Sequence, residues 1–196
     1  MKIEPVVLEG TAVRLETLAP RHVPGIVRAG AAEEIWRWMP MRLSDEASAR
    51  GWLTIADTWL ATQQGLVFAT VDRASGEVVG STGFLAASPP NRRVEIGATW
   101  ITPSFQRSPV NTEAKYLMLR HAFEAWDCLR VEFKTDALNQ KSRNALLRIG
   151  ATAEGIHRSH MVMPDGRVRD SAWFSVVREE WPRVKAGLEA RMQARA

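Results

Sequence analysis

The stretch Trp100-Ile101-Thr102-Pro103-Ser104-Phe105-Gln106-Arg107-Ser108-Pro109-Val110-Asn111-Thr112-Glu113 carries an apolar strand end through a turn into a helix start. Such junctions bind anions, because the first N–H groups of a helix lack intrahelical acceptors and the helix dipole favours negative charge. Ser108 fits the N-cap and Pro109 the first helical position. Proline brings no N–H, so the donors are the backbone N–H groups of Val110, Asn111 and Thr112, joined by the Arg107 side chain. That set can hold a diphosphate; the same residues also spell an ordinary capped helix. Elsewhere, His160 is placed to titrate near neutrality. Cys128 has no histidine or cysteine close in sequence, which disfavours an acyl-cysteine route. No Ser-His-Asp set stands out, and the histidines at 22, 121, 157 and 160 are too scattered for a metal site, so no metal is expected.

Those residues need a scaffold, and the pattern supplies one. Residues 11 to 18 alternate apolar and polar as a half-buried strand, and a helix follows from Pro20 to about Gly30. Residues 31 to 43 form an aromatic-rich connection containing Trp36 and Trp38. Ser44-Asp45-Glu46 opens the next helix, whose stripe is Ala49, Trp52, Leu53, Ala56 and Leu60. Strands over 66–71, 78–86 and 94–101 make an antiparallel meander with a tight turn at 74–76. Gly83 and Gly97 read as strand glycines permitting close approach. A long helix spans 109 to 126, with a core stripe of Ala114, Leu117, Met118, Ala122 and Ala125 and a surface pair Arg120–Glu124. A strand over 131–135, a helix from 140 to 149 closed by Gly150, strands near 154–163 and 168–177, and an exposed helix over 179–195 complete the chain. The expected class is α/β (α+β) mixed, in one domain over 1–196.

With 196 residues, 45% apolar and 24% charged, the chain is sized for a packed core, and its lone cysteine excludes internal disulfides. Lys and Arg total 26 against 22 for Asp and Glu, spread without a run, so direct nucleic-acid binding is not expected. The start has no apolar signal region and no long apolar run follows; the expectation is a cytoplasmic protein without a membrane span. Eight tryptophans are expected in cores or interfaces, and those left exposed, with the helix after Trp181, offer surfaces for a homodimer.

Three segments carry a resemblance: 108–117, Arg130 to Asp136 with Asn139 and Ser142, and Leu147-Arg148-Ile149-Gly150-Ala151 with Glu154-Gly155. The chain resembles the GNAT superfamily of N-acetyltransferases, closest to the RimJ/RimL group that acetylates N-terminal amines of ribosomal proteins. The likeness runs from about residue 8 to about 182. It implies a twisted, mostly antiparallel sheet with helices on both faces, splayed between its fourth and fifth strands, here 94–101 and 131–135. Acetyl-CoA lies in that gap.

By the resemblance, backbone groups of Trp100 and Ile101 hold the pantetheine arm. The loop containing Gln106, Arg107, Ser108, Val110, Asn111 and Thr112 holds the pyrophosphate, although the family's glycine-bearing loop reads Gln106-Arg107-Ser108-Pro109-Val110-Asn111 here. Asn139 contacts the cofactor, and Ser142 donates to the departing thiolate, stabilising charge present only as the acyl bond breaks. Without the family, Asn139 reads as a helix cap and Ser142 as a first-turn residue. Glu95 is the candidate base that takes a proton from the attacking amine. A second glutamate that serves ribosomal members on the sixth strand is replaced here by Met161, and strand alternation turns the adjacent His160 to the opposite face. Trp36, Trp38 and the hairpin around His157 to Asp165 are expected to line the acceptor cleft. The implied activity is acetyl transfer from acetyl-CoA to a primary amine, either a protein N-terminus or a small molecule, by direct attack. The alternative is a catalytically weak acyl-CoA-binding sensor or interaction module.

Overall fold

The computed structural model describes residues 1–194. Eight strands form one sheet in the order β1-β2-β3-β4-β5-β6-β8-β7. They are β1 (Val7–Glu9), β2 (Val13–Thr17), β3 (Leu66–Asp72), β4 (Val78–Ser88), β5 (Arg93–Ile101), β6 (Arg130–Asp136), β7 (Thr152–Val162) and β8 (Val168–Val177). Every neighbouring pair is antiparallel except β5 and β6, which run parallel. The fold is thus the mixed, mostly antiparallel sheet that the sequence implies. β1 was not foreseen, and its presence moves the splayed pair from fourth and fifth to fifth and sixth in chain order.

Five helices cover the sheet: α1 (Val23–Ala29), α2 (Glu46–Ala61), α3 (Val110–Arg120), α4 (Gln140–Arg148) and α5 (Trp181–Gln193). One core joins α3 and α5 to Phe68, Phe84, Phe133 and Phe174. The other, under α1 and α2, gathers Ile26, Trp36, Trp52, Val67 and Trp100. α2 starts where the sequence places it, with the Asp45 carboxylate accepting from the Ser48 N–H at 2.8 Å.

Several expectations are corrected. The terminal helix is not a free surface element: Trp181, Val184 and Leu188 are buried, with Trp181 stacked on Phe123 at 5.4 Å. Its expected last residue, Arg195, lies outside the described residues. The long helix changes to a π turn over His121–Ala125, and the wider turn moves side chains out of the 3.6-residue phase. Ala125 is therefore exposed, and Glu124 bonds Lys185 and the Trp181 indole instead of Arg120. No tryptophan among the described residues is exposed, so the tryptophan surface proposed for a homodimer does not exist.

Two polar groups on α3 tie the layers together. The Glu113 carboxylate accepts the backbone N–H groups of Thr11, Ala12 and Val13 at 2.7, 2.7 and 2.8 Å, closing the β1–β2 turn onto α3. Gly10 permits this approach, since a Cβ there would stand 2.4 Å from the carboxyl carbon. Lys115 is buried, and among the described residues its side-chain nitrogen donates only to the hydroxyls of Thr99 (2.7 Å) and Thr82 (3.2 Å). Desolvation lowers its pKa to about 7.

Replacing Glu113 by Ala strands these N–H groups, so urea unfolding should show a loss of about 3 kcal/mol. For Lys115 the unfolded chain holds the extra proton between pH 7 and 10.5, so stability rises with pH across that window, by up to about 1.4 kcal/mol per unit. Lys115→Met should therefore stabilise the protein most below pH 7, with the gain shrinking toward pH 10. A pH-independent gain in urea titrations at pH 6, 8 and 9.5 would contradict this assignment.

Candidate active site

β5 and β6 pair only at Arg93↔Arg130, Val94↔Val131 and Glu95↔Glu132. Beyond that point β5 continues against β4 to Ile101, and β6 continues against β8 to Asp136. The facing edges of 96–101 and 133–136 are left without a strand partner. A bulge at the gap comes from β5, where Ala98 and Thr99 oppose Thr82 alone and Ala98 takes a φ of 49°. An open edge of this kind presents backbone donors and acceptors that an extended amide chain can pair with.

Glu95 stands where the pairing ends. It is 2% exposed, and its Oε2 accepts from the Lys134 ammonium at 2.8 Å. Its Oε1 accepts no hydrogen bond from the described residues. A Cβ on Gly97 would lie 2.7 Å from that oxygen, so the glycine makes the room in which Oε1 sits. This is the close approach foreseen for Gly97, with a carboxylate as the group approached.

At the other end of the gap, the chain leaves β5 through a 3-10 turn over Pro103–Phe105 and enters α3. Gln106 Nε2 donates to the Ile101 carbonyl at 3.0 Å, and Gln106 Oε1 accepts from Lys141 at the start of α4. Gln106 and Lys141 thus link the two sides of the opening. Arg107 has a φ of 64°. α3 begins at Val110, one residue later than expected, and Ser108 Oγ accepts the Val110 N–H at 3.3 Å while donating to the Phe105 carbonyl at 2.6 Å. The Val110 donor is therefore already engaged. Asn111 Oδ1 is buried with no partner among the described residues, and Thr112 is buried beside it in sequence.

Asn139 caps α4, its Oδ1 accepting the Ser142 N–H at 3.1 Å. The Ser142 hydroxyl is half-buried and makes no hydrogen bond with the described residues. Trp100 is buried and packs on Trp36 at 5.0 Å. Trp36 donates its indole N–H to the Gly30 carbonyl at 2.8 Å, which makes it a core residue instead of a cleft wall. Trp38 is half-buried between the guanidinium groups of Arg37 (4.9 Å) and Arg167 (5.6 Å). Through Arg167 the 3-10 turn over Glu33–Trp38 meets the β7–β8 hairpin.

The expected alternation at His160 fails. β7 is irregular between His157 and Met161, with Ser159 at a φ of 50°, so His157 and His160 both reach Trp173, at 4.8 and 5.9 Å. His160 Nδ1 lies 3.0 Å from Ser171 Oγ. Desolvation lowers the His160 pKa, reinforced by the positive charge of Lys134, which favours the neutral ring. Lys134, Trp173, Arg167 and Arg169 were not singled out in the sequence. Period 2 along β8 was the available signal: Ala172, Phe174 and Val176 enter one core, while Arg169, Ser171 and Trp173 share the opposite face. Among the described residues no group of three metal-ligating side chains occurs, and no helix is long and apolar enough to cross a membrane.

The chain matches the acetyltransferase (GNAT) domain family over residues 12–152. It is 33% identical over 91 residues to the "Putative ribosomal N-acetyltransferase YdaF" of Bacillus subtilis (strain 168), a match covering 46% of this chain and 49% of that one. The chain thus spans about half the length of that relative. A crystal structure of a GCN5-related N-acetyltransferase from Brucella melitensis is 34% identical, covering 98% of this chain and 87% of that one, with a TM-score of 0.90. RimJ of Mycobacterium smegmatis, solved in complex with CoA-disulfide, shares the fold at 24% identity and a TM-score of 0.80, covering 97% and 93% of the two chains.

Asn139 and Ser142 separate by their structural work. Asn139→Ala removes a cap and should cost about 1 kcal/mol in denaturant unfolding, whereas Ser142→Ala should stay within about 0.5 kcal/mol of the parent. Equal losses would mean that the Ser142 hydroxyl has a partner in the fold.

Proposed function

The chain belongs to the acetyltransferase (GNAT) family, and from that premise we propose that it moves an acetyl group from acetyl-CoA to a primary amine by direct attack. The acceptor is a protein N-terminal α-amine or a small-molecule amine. The observation that carries this reading is the carboxylate at the mouth of an unpaired strand edge, Glu95 with one oxygen held by Lys134 and the other open over Gly97.

The residues present suit the co-substrate. The free edge of β5 around Trp100 accommodates the amides of a pantetheine arm, although the Ile101 carbonyl is already taken by Gln106. The N–H groups of Asn111 and Thr112 at the start of α3, with Gln106, Arg107, Ser108 and Val110 around them, form the wall for the diphosphate. Asn139 and Ser142 approach the gap from β6 and α4. The thioester supplies an acyl carbon activated toward amines. In the transfer an N–C bond forms, the C–S bond breaks, and products are an N-acetylated amine and CoA.

Glu95 Oε1 takes the proton that the amine sheds as the N–C bond forms. Lys134 fixes the carboxylate's orientation, and the cramped site over Gly97 holds its free oxygen toward the gap. The Ser142 hydroxyl, unclaimed by the protein, donates to the sulfur as negative charge develops there. An α-amine with a pKa near 8 is roughly a tenth neutral at pH 7, while a lysine amine near 10.4 is almost wholly protonated. A single carboxylate base therefore suits an α-amine better, and the ribosomal association in the name of YdaF agrees with that acceptor class.

The test pairs CoA release from acetyl-CoA, over a panel of peptide N-termini and small amines, with calorimetric titration of CoA. Glu95→Gln should lower kcat by about 100-fold and Ser142→Ala by about 10- to 100-fold, both with CoA affinity nearly retained. Binding without turnover on a broad panel would assign the chain to the binding-module class, and failure to bind CoA would overturn the reading altogether.

A further inference from the structure

The face of β6 and β8 beside the gap carries Lys134, Asp136 and Arg169, with Arg167 in the turn that precedes β8, and most of these charges cancel in pairs. Lys134 pairs with Glu95 at 2.8 Å, and Arg167 pairs with Asp136 at 2.6 Å. Asp136 also accepts the Leu138 N–H at 2.9 Å. Arg169 is left over. It is 5% exposed, makes no ion pair with the described residues, and forms a single hydrogen bond, from Nε to Ser171 Oγ at 3.1 Å. Its two Nη groups have no partner among the described residues, yet they are not sealed from solvent.

An arginine does not escape burial by losing its proton, so an unpaired guanidinium in this position carries a desolvation cost that only an anion removes. Burial lowers the Arg169 pKa, with the negative charges of Asp136 and Glu95 opposing the shift from a distance. The Nε bond to Ser171 fixes the plane of the guanidinium and leaves the Nη pair as a fork, the geometry that two carboxylate oxygens match. The same Ser171 hydroxyl lies 3.0 Å from His160 Nδ1, which ties the neighbouring ring to the arginine. Beside it Trp173 carries a buried indole N–H that finds no acceptor among the described residues.

We infer that the amine acceptor carries a carboxylate and that Arg169 receives it. This rests on the acetyl-transfer reading and narrows the acceptor class. Arg169 and Trp173 are separated by four residues of strand, about 13 Å of rise, and Trp173 is the cross-strand partner of Lys134, which holds Glu95. The length of the arginine side chain shortens that span. The carboxylate therefore stands several bonds from the reacting nitrogen, as in an ω-amino acid or a peptide with an acidic residue near its N-terminus, and not on the amine-bearing carbon.

Matched acid and amide pairs test this. One arm compares 4-aminobutanoate, 6-aminohexanoate and 8-aminooctanoate with their amides, and the other compares tripeptide amides bearing aspartate or asparagine at the third position. KM from CoA release should be about tenfold or more lower for the acid within the preferred pair, and the arm showing the larger ratio identifies the source of the carboxylate. Arg169→Gln should bring the pair within about twofold, and Arg169→Lys, which keeps the charge without the fork, should retain a reduced preference. Calorimetric titration of the same compounds into the CoA-loaded protein reads the preference independently of turnover, and thermal melts confirm that both variants fold. Acid and amide forms bound alike, or a preference that survives Arg169→Gln, overturns the inference. Absence of CoA release from every amine instead overturns the transfer reading on which it rests.

Discussion

The arrangement depends on a competition for strand edges. β5 and β6 run side by side and in the same direction, yet each is committed along its length to a different neighbour, β4 on one side and β8 on the other. The sheet's twist and the extra residue at Ala98 turn β5 away after Glu95, and β6 follows β8 instead. A row of backbone groups is thereby withheld from pairing within the protein. Most folds suppress such an edge, because buried N–H and C=O groups need partners. Here the edge lies between β5 and β6, where an extended amide chain can pair with it.

Charge is arranged around that slot by the same logic. Taking each carboxylate near the opening with its nearest cation leaves Glu95 held on one oxygen, Asp136 satisfied twice, and Arg169 without a counterion. A half-satisfied network in a desolvated site is costly for the empty protein and informative about what completes it. Lys115 illustrates the opposite solution on the far face of the sheet. It too is buried without a carboxylate, but an amine relieves the cost by giving up its proton, and its pKa falls accordingly. A guanidinium has no such escape, which is why the two buried cations carry different implications.

Much of the scaffold was legible in the sequence because its signals are local. The Asp45 cap, the tight turn before Val78 and the period of α2 each specify an element through neighbouring residues, and the element order follows from them. β1 escaped because three residues do not establish a period. The π turn over His121–Ala125 has no local signature and misdirected both Ala125 and Glu124. At the site, Glu95 and Ser142 were reached through family likeness. The surroundings that make Glu95 plausible as a base were not legible, since the room over Gly97 and the grip of Lys134 join separate strands. Arg169 was passed over for a related reason: an arginine between Val168 and Asp170 reads as solvated surface, and only the tertiary fold reveals that it is covered.

The departures from regular alternation fall on both walls of the cleft, and this distribution has a physical reason. A regular strand sends successive side chains to opposite faces, so it cannot place two near-neighbours on one pocket. Glu95 and Gly97 share one face by ordinary alternation, and the bulge at Ala98 then shifts the phase of β5, so that Thr99 turns to Lys115 and Trp100 to Trp36 on opposite sides of the sheet. The irregularity at Ser159 brings His157 and His160 onto the same indole, which alternation would forbid. Each break gives up ladder hydrogen bonds to obtain a local density of polar side chains that a uniform sheet cannot present. The two breaks lie on strands that never pair with each other, so the cleft between them can be reshaped by changes on either side without disturbing the register of β6 and β8, which carry Lys134 and Arg169.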